Sequence, residues 1–151
     1  MKRRRSLLLV ALGAIAAAWT VRARATAPLG RYTYPPGVLT VTDTKTGLTW
    51  ERVIVPKKFS PDAAAAHCSE TGAILGGTGW RVPTIWEIQT LVDDGIASPG
   101  PTIDQTAFPS TPTDGIFMSP TGGAQGTWGV SFLDGMTVQL DAGPFYVRCV
   151  R

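Results

Sequence analysis

The chain has 151 residues, too few for two packed domains, and 44% of them are hydrophobic, which excludes a disordered protein. Seventeen Gly and twelve Pro favour turns and short elements over a helical bundle, so we expect a loop-rich α+β or all-β domain. The first 25 positions hold six of the fourteen basic residues and none of the eleven acidic ones, so the formal net charge of +3 becomes −3 beyond them, which argues against nucleic-acid binding.

Residues 1–25 have the layout of a signal peptide. A basic start precedes an apolar run from Leu7 to Trp19, and Ala23 and Ala25 follow the A-x-A cleavage pattern. The run is shorter than the roughly 20 residues of a membrane span, which favours cleavage over an uncleaved anchor or a buried helix. We expect a periplasmic or extracellular protein with no membrane span after cleavage. Arg4-Arg5 fits the twin-arginine route, and ordinary Sec export stays open.

Residues 26–37 contain three Pro and no periodicity, which predicts an extended arm or linker before a domain at 38–151. The domain begins with alternating apolar and polar residues from Val38 to Val55. This pattern predicts a β-hairpin around the turn at 43–47. The predicted inner face of the hairpin consists of Leu39, Val41, Leu48 and Trp50.

Two segments carry strong helix-start signals. Ser60-Pro61-Asp62 combines an N-cap serine, a first-turn proline and an acid near the positive end of the helix dipole. It predicts a first helix that ends at Gly72. Thr84 and Glu87 fit a capping box for a second helix, so we assign both residues structural roles. The predicted inward stripe of this helix consists of Ile85, Ile88, Leu91 and Val92.

Cys68 and Cys149 are the only two cysteines, and an even pair in an exported chain predicts a disulfide. The bond would tie the end of the first helix to the last predicted strand. His67 is the only histidine. On a helix its side chain points about 100° away from that of Cys68, which disfavours a catalytic pair between them. We expect His67 to be a surface or half-buried residue.

Arg81 and Arg148 stand among apolar residues in the sequence, so we predict that both lie in the body of the domain and are structural. A buried guanidinium needs carboxylate or carbonyl partners. The nearest candidates are Glu87, Asp93 and Asp94.

The C-terminal half predicts a long irregular region followed by short strands at 116–119, 127–133, 136–140 and 145–150. Asp134-Gly135 is a common hairpin turn. The stretch 95–126, which includes the first of these short strands, exceeds the usual loop length. We therefore expect any ligand to bind there. Trp128 at its edge offers a stacking face. The hydrogen-bonding residues predicted to bind a hydroxyl-rich ligand are Asp104, Gln105, Thr111, Thr113, Asp114, Ser119 and Gln125. The alternative is a solvated loop without a ligand.

Catalytic and metal-binding motifs are missing from the sequence. One histidine does not assemble a Ser-His-Asp triad, and cysteines joined in a disulfide are not zinc ligands, so we expect no enzyme, no cofactor and no metal. A calcium ion near Asp93, Asp94 and Asp104 stays open, although calcium-loop spacing is absent. Glu87 and Asp104 could serve as paired carboxylates of a hydrolase, but capping is the preferred role of Glu87.

Four segments in order along the chain carry a family resemblance. They are VTDTKTGLTWE at 41–51, GTGWRVPTIWEIQTL at 77–91, the Ile103-Asp and Phe108-Pro pairs, and YVRCVR at 146–151. Together they resemble the bacterial domain family typified by the C-terminal domain of the Legionella collagen-like adhesin. In that adhesin the domain trimerises and recognises sulfated polysaccharides. The resemblance therefore implies an exported module, a homo-oligomer, and a polysaccharide or surface protein as partner.

The order of elements also resembles the C-type-lectin-like group of folds, in which a first-helix cysteine often bonds one in the last strand. This resemblance implies an α+β, C-type-lectin-like fold with two helices, short antiparallel strands, long loops and one disulfide. The calcium-binding triplets of lectins are absent, so no activity carries over. We expect a non-catalytic binding module for surface glycans or a protein partner. The alternatives are a carboxylate-based hydrolase of the envelope and a purely structural envelope protein.

Overall fold

A computed structural model of the chain describes residues 27–124, 126–141 and 143–151. The predicted signal peptide at 1–25 lies outside these residues. In the described ranges, no helix is long and apolar enough to cross a membrane. The elements of these ranges, in chain order, are β1 (Tyr32–Thr33), β2 (Thr40–Asp43), β3 (Thr49–Glu51), α1 (Pro61–Leu75), α2 (Ile85–Gln89), β4 (Ile116–Gly123), β5 (Gly126–Ser131) and β6 (Thr137–Leu140). Two small antiparallel sheets and two helices make an α+β domain, as predicted.

The first sheet contains the predicted hairpin. Strands β2 and β3 pair antiparallel, with Val41 opposite Trp50, and both side chains are fully buried. The prediction for Leu39 is wrong, because its side chain is 47% exposed. Since β2 begins only at Thr40, the alternation of faces that buries Val41 does not extend back to Leu39.

Part of the predicted arm is an edge strand of this sheet. Strand β1 pairs with β2, which places Tyr32 opposite Asp43. The Arg31 guanidinium forms an ion pair with the buried Asp43 carboxylate at 3.1 Å and donates to the Thr90 carbonyl. The Tyr32 ring packs edge-on against Phe108, with 5.1 Å between the ring centroids. These contacts fasten the arm to the core.

Helix α1 begins as predicted but ends later. The Ser60 hydroxyl accepts a hydrogen bond from the Ala63 amide at the N-cap. The helix then runs through Gly72 to Leu75. Gly72 is buried against the Trp80 ring, and a Cβ at residue 72 would lie 2.8 Å from Trp80 Cδ1. The glycine therefore permits a close packing contact inside the helix instead of ending it.

Helix α2 has the predicted capping box. The Thr84 hydroxyl accepts from the Glu87 amide at 3.3 Å, and the Glu87 carboxylate accepts from the Thr84 amide at 2.8 Å. Ile85, Ile88 and Leu91 are buried, as the predicted stripe requires. The capping box thus orients a helix of only five residues, which is too short to be stable by itself.

The second sheet has the order β4, β5, β6, with Asp134-Gly135 in the turn between its last two strands. Strand β4 continues past the predicted end at Ser119 to Gly123. A shift in register interrupts its pairing with β5 between Met118 and Gly122. This β-bulge changes the direction in which the side chains of β4 point, which matters for the groove described below.

The C-terminal segment joins the two sheets. Tyr146 exchanges backbone hydrogen bonds with β4, and Glu51 of β3 donates its amide to the Cys149 carbonyl. A continuous strand over 145–150 was expected, but the structure has isolated bridges, because the segment switches partners along its length. The disulfide between Cys68 and Cys149 is confirmed, with 5.4 Å between the Cα atoms. It attaches α1 to this segment.

Arg148 lies fully buried at this junction of the sheets. Its guanidinium donates to the carbonyls of Glu51 and Arg52 and to the Thr111 hydroxyl, at 2.7 to 2.9 Å. The predicted structural role and carbonyl partners of Arg148 agree with these contacts, but its partners do not include the carboxylates Glu87, Asp93 and Asp94. The C-terminal segment brings Arg148 to β3 instead of α2, and this long-range pairing leaves no local mark in the sequence.

Candidate functional site

A groove of about 340 Å³ lies between helix α2 and the second sheet, and we call it the α2 groove. The helix forms one side, and all three strands of the sheet contribute to the rest. The residues that line it are Ile85, Trp86, Gln89, Thr121, Gly122, Trp128 and Thr137.

Two hydrogen bonds fix the width of the α2 groove. The Ile85 amide at the start of α2 donates to the Thr121 hydroxyl of β4 at 3.0 Å. The Gln89 side-chain amide donates to the Thr137 hydroxyl of β6 at 2.6 Å. Thr121 lies in the part of β4 where the register shifts. Helix α2 is therefore attached to both outer strands, and the groove is preformed.

Two tryptophans give the α2 groove its aromatic surface. Trp86 lies on the side of α2 opposite the buried stripe and is 74% exposed. Trp128 on β5 is half-buried and packs against the core. Gly123 allows the Trp128 indole to approach the strand, because a Cβ at residue 123 would lie 2.8 Å from Trp128 Nε1. One ring is thus exposed at the rim, and the other is held in place.

The α2 groove also has uncharged polar groups in its lining. Thr121, Thr137 and Gln89 supply hydroxyl and amide groups beside the two rings. Such a surface stacks a flat apolar face and hydrogen-bonds to groups at its edge. A pyranose ring has both features, with C–H groups on its face and hydroxyls around its edge.

A second groove of about 310 Å³ lies beside strands β4 and β5. Pro120 lines the second groove, and its neighbour Thr121 lines the α2 groove. Trp80 and Arg81 also line the second groove. Thr127 lines the second groove and its neighbour Trp128 lines the α2 groove, so the two grooves lie on opposite faces of the sheet.

An ion pair lies next to these grooves. The Arg81 guanidinium donates two hydrogen bonds to the Glu87 carboxylate, at 2.8 and 2.6 Å. The predicted partner Glu87 is confirmed, although the Arg81 side chain is 47% exposed and not enclosed in the body of the domain. The capping box holds Glu87 in place for this pair. The bonds from Arg81 and Thr84 lower the pKa of Glu87 to about 2, so this carboxylate is ionised at neutral pH.

We expect Glu87→Gln to lower the free energy of unfolding by about 0.5 to 1 kcal/mol at pH 7, a small effect because the pair is partly exposed. The pKa of Glu87 is depressed from 4.5 to about 2, so its contribution is present above pH 4.5 and is lost as the pH falls towards 2. Urea unfolding at pH 7 and at pH 2 measures the difference. Glu70→Gln removes an exposed carboxylate from α1, and an equal pH-dependent loss in this control would contradict the prediction.

Of the residues predicted to bind a ligand, the structure brings only Trp128 into the α2 groove. Thr111 and Ser119 are buried, and the Thr111 hydroxyl is bonded to Arg148 and to the Phe108 carbonyl. Burial leaves little of either side chain accessible, and contact of these two residues with a ligand stays a prediction. Gln125 lies outside the described residues.

The other predicted ligand residues are partly or fully accessible but lie away from the groove lining. Asp104 accepts hydrogen bonds from the amides of Thr106 and Ala107, and Asp114 accepts one from the Tyr146 hydroxyl at 2.9 Å. The Gln105 amide donates to the Phe108 carbonyl. Thr113 is half-buried. These side chains mainly organise the loop between α2 and β4.

Trp86 and Gln89 were missed in the sequence-based prediction, which assigned ligand binding to the irregular region and not to the helices. The sequence does contain a signal for Trp86. Trp86 follows Ile85 and precedes Ile88, so it falls outside the apolar stripe of α2. With Trp128 across the groove, Trp86 forms an aromatic patch, and such a patch indicates a binding surface.

The calcium and hydrolase alternatives find little geometric support in the described residues. Asp93, Asp94 and Asp104 do not form a group of three ligand atoms close enough for one ion. Glu87 is bound by Arg81 and by its cap, and neither Glu87 nor Asp104 lines the two grooves. No pair of accessible carboxylates faces a common cleft there.

Comparison with known proteins gives one match. The family model described as the Lcl C-terminal domain covers residues 39–151. No curated protein and no solved structure matches the chain.

Proposed function

The chain belongs to the Lcl C-terminal domain family, and from this premise we propose that it is an adhesin-like module that binds glycans in the α2 groove without catalysis. The observation that carries the proposal is the pair of tryptophans, one exposed and one fixed, beside uncharged hydroxyl and amide groups. Aromatic faces stack on the apolar face of a sugar, and the polar groups suit its hydroxyls. A protein partner is the alternative ligand for this surface.

Two further features support binding over catalysis. Glu87, a carboxylate of α2, is ionised and accepts four hydrogen bonds from Arg81 and Thr84, so it has no proton to donate. The described residues also contain a single histidine, His67, which lies on α1 and not in the groove. We therefore favour a binding role over the hydrolase or the purely structural alternative.

The disulfide and the family indicate an extracellular or envelope protein. Signal-peptide cleavage and the Sec or twin-arginine route stay predictions. The homo-oligomer and the absence of nucleic-acid binding also stay predictions. The C-type-lectin-like architecture likewise stays a prediction, supported by the order of elements and by a disulfide from the first helix to the last segment.

We expect Trp86→Ala to weaken glycan binding about tenfold, because an aromatic contact contributes about 0.5 to 1.5 kcal/mol beyond its buried area. The protein is first applied to an array of neutral and acidic oligosaccharides, and the best-binding sugar is then titrated by calorimetry. Since Trp86 is exposed, the variant should unfold at the wild-type urea concentration. We expect similar affinities at low and at physiological salt, because the lining has no charged side chain.

Ile74→Ala is the matched control, since Ile74 is an apolar residue of α1 with 75% exposure. It should bind like the wild type. Undiminished binding by Trp86→Ala would remove the α2 groove from the proposal. A steep decrease of affinity with salt would place the ligand on basic side chains elsewhere.

A further inference from the structure

The disulfide has two potential metal ligands beside it. A carboxylate oxygen of Glu51, a ring nitrogen of His67 and the sulfur of Cys149 all lie within 4.8 Å of one another. The second sulfur, from Cys68, lies 2.06 Å from that of Cys149. Four side chains of three ligand types therefore converge from β3, from α1 and from the C-terminal segment.

The surroundings hold these groups in place. The Glu51 carboxylate is buried and accepts a hydrogen bond from the Cys149 amide at 3.1 Å. The His67 ring stacks on Phe59, with 4.5 Å between the ring centroids, and it is only half-buried, so an ion can enter on that side. The sequence disfavoured a catalytic pair between His67 and its neighbour Cys68. The fold places a ring nitrogen of His67 within 4.8 Å of the Cys149 sulfur.

We propose that, before the disulfide closes, Cys68, Cys149, His67 and Glu51 form a tetrahedral site for a zinc-like divalent cation. Two thiolates, an imidazole and a carboxylate are ligands that Zn²⁺ accepts, and bond lengths of 2.0 to 2.3 Å place such ligand atoms about 3.3 to 3.8 Å apart. The present separations of up to 4.8 Å require shifts of about 1 Å. Separation of the two sulfurs supplies part of this movement.

Metal binding and oxidation exclude each other at this site. When the ion binds, each thiol releases its proton to solvent and no electron is transferred. When the disulfide forms, the two thiols give two electrons and two protons to a disulfide oxidant, which becomes a dithiol. The sulfurs are then bonded to each other and are no longer thiolates. An ion held by the reduced chain is released at that step.

The test uses the full chain made in a reducing cytosol, kept free of oxygen, and titrated with Co²⁺ as a spectroscopic substitute for Zn²⁺. We expect one Co²⁺ per chain, with thiolate-to-cobalt charge-transfer absorption and the visible bands of a tetrahedral ion. The oxidised chain should show neither. If the reduced chain is unfolded without metal, Co²⁺ should restore the circular dichroism of the oxidised protein, because binding and folding are linked.

Variants separate this site from binding by the cysteines alone. His67→Ala and Glu51→Gln should each weaken Co²⁺ binding by about 100-fold, since even outer-shell changes reduce metal affinity about 10- to 100-fold. Glu70→Gln, an exposed carboxylate of α1, should bind like the wild type. Absence of the charge-transfer band, wild-type affinity in His67→Ala, or a reduced chain that stays unfolded with Co²⁺ would each overturn the proposal.

Discussion

Arg148→Met should lower the free energy of unfolding by about 3 to 5 kcal/mol, among the largest effects of any single substitution in this domain. Arg148 is completely buried, and its guanidinium bonds to two carbonyls of the β3 segment and to the Thr111 hydroxyl. Burial lowers the pKa of Arg148 to about 10, so the side chain is still charged at neutral pH. Removing it takes a donor from the carbonyls of Glu51 and Arg52 and one of two hydrogen bonds from the Thr111 hydroxyl. It also takes the counter-charge from the buried Glu51.

Urea unfolding at pH 7 measures this effect, and two further variants locate its source. Thr111→Val removes two hydrogen bonds, one from Arg148 and one to the Phe108 carbonyl, so it should cost about 1 to 3 kcal/mol. Arg148→Lys keeps the charge but cannot reproduce the planar set of donors, so its loss should fall between the other two. A loss below about 1 kcal/mol in Arg148→Met would mean that the guanidinium does not hold the sheets together.

Replacing both Cys68 and Cys149 by alanine should lower the free energy of unfolding by about 4 kcal/mol. The bond links positions 81 residues apart, and closing a loop of this length restricts the unfolded chain by about that amount. Both sulfurs are fully buried, so small cavities add to the loss. The measurement is urea unfolding of the oxidised wild type and of the double variant.

Reduction provides the control for the disulfide variant. Reductant should destabilise the wild type, in metal-free buffer, by an amount similar to the double substitution, and it should leave the double variant unchanged. A double variant within about 1 kcal/mol of the oxidised wild type would show that the other contacts of the C-terminal segment suffice to hold α1.

The features predicted correctly from the sequence depend on neighbouring residues. The N-cap at Ser60 and the capping box at Thr84 need only positions three residues away, and both are present. The hairpin pairing of Val41 with Trp50 follows from a short turn. The disulfide follows from an even number of cysteines in a predicted oxidising compartment.

The features predicted wrongly depend on contacts distant in the sequence. Arg148 reaches β3 across 96 or 97 positions, and Gly72 stays helical because Trp80 packs on it. The α2 groove combines α2 with the bulge in β4, the Trp128 ring and Thr137 of β6. Local periodicity identifies Trp86 as lying outside the buried stripe, but it does not say which strands face that tryptophan.

Indole N–H resonances test the central claim, that a glycan binds in the α2 groove. The protein is titrated with the best-binding sugar from the array, and the Nε1–H signals are assigned with single Trp→Phe variants. We predict saturable shifts for Trp86 and Trp128, which line the groove, and none for the fully buried Trp50. A sugar that binds while both Trp86 and Trp128 stay unshifted would contradict the assignment of the α2 groove as the binding site.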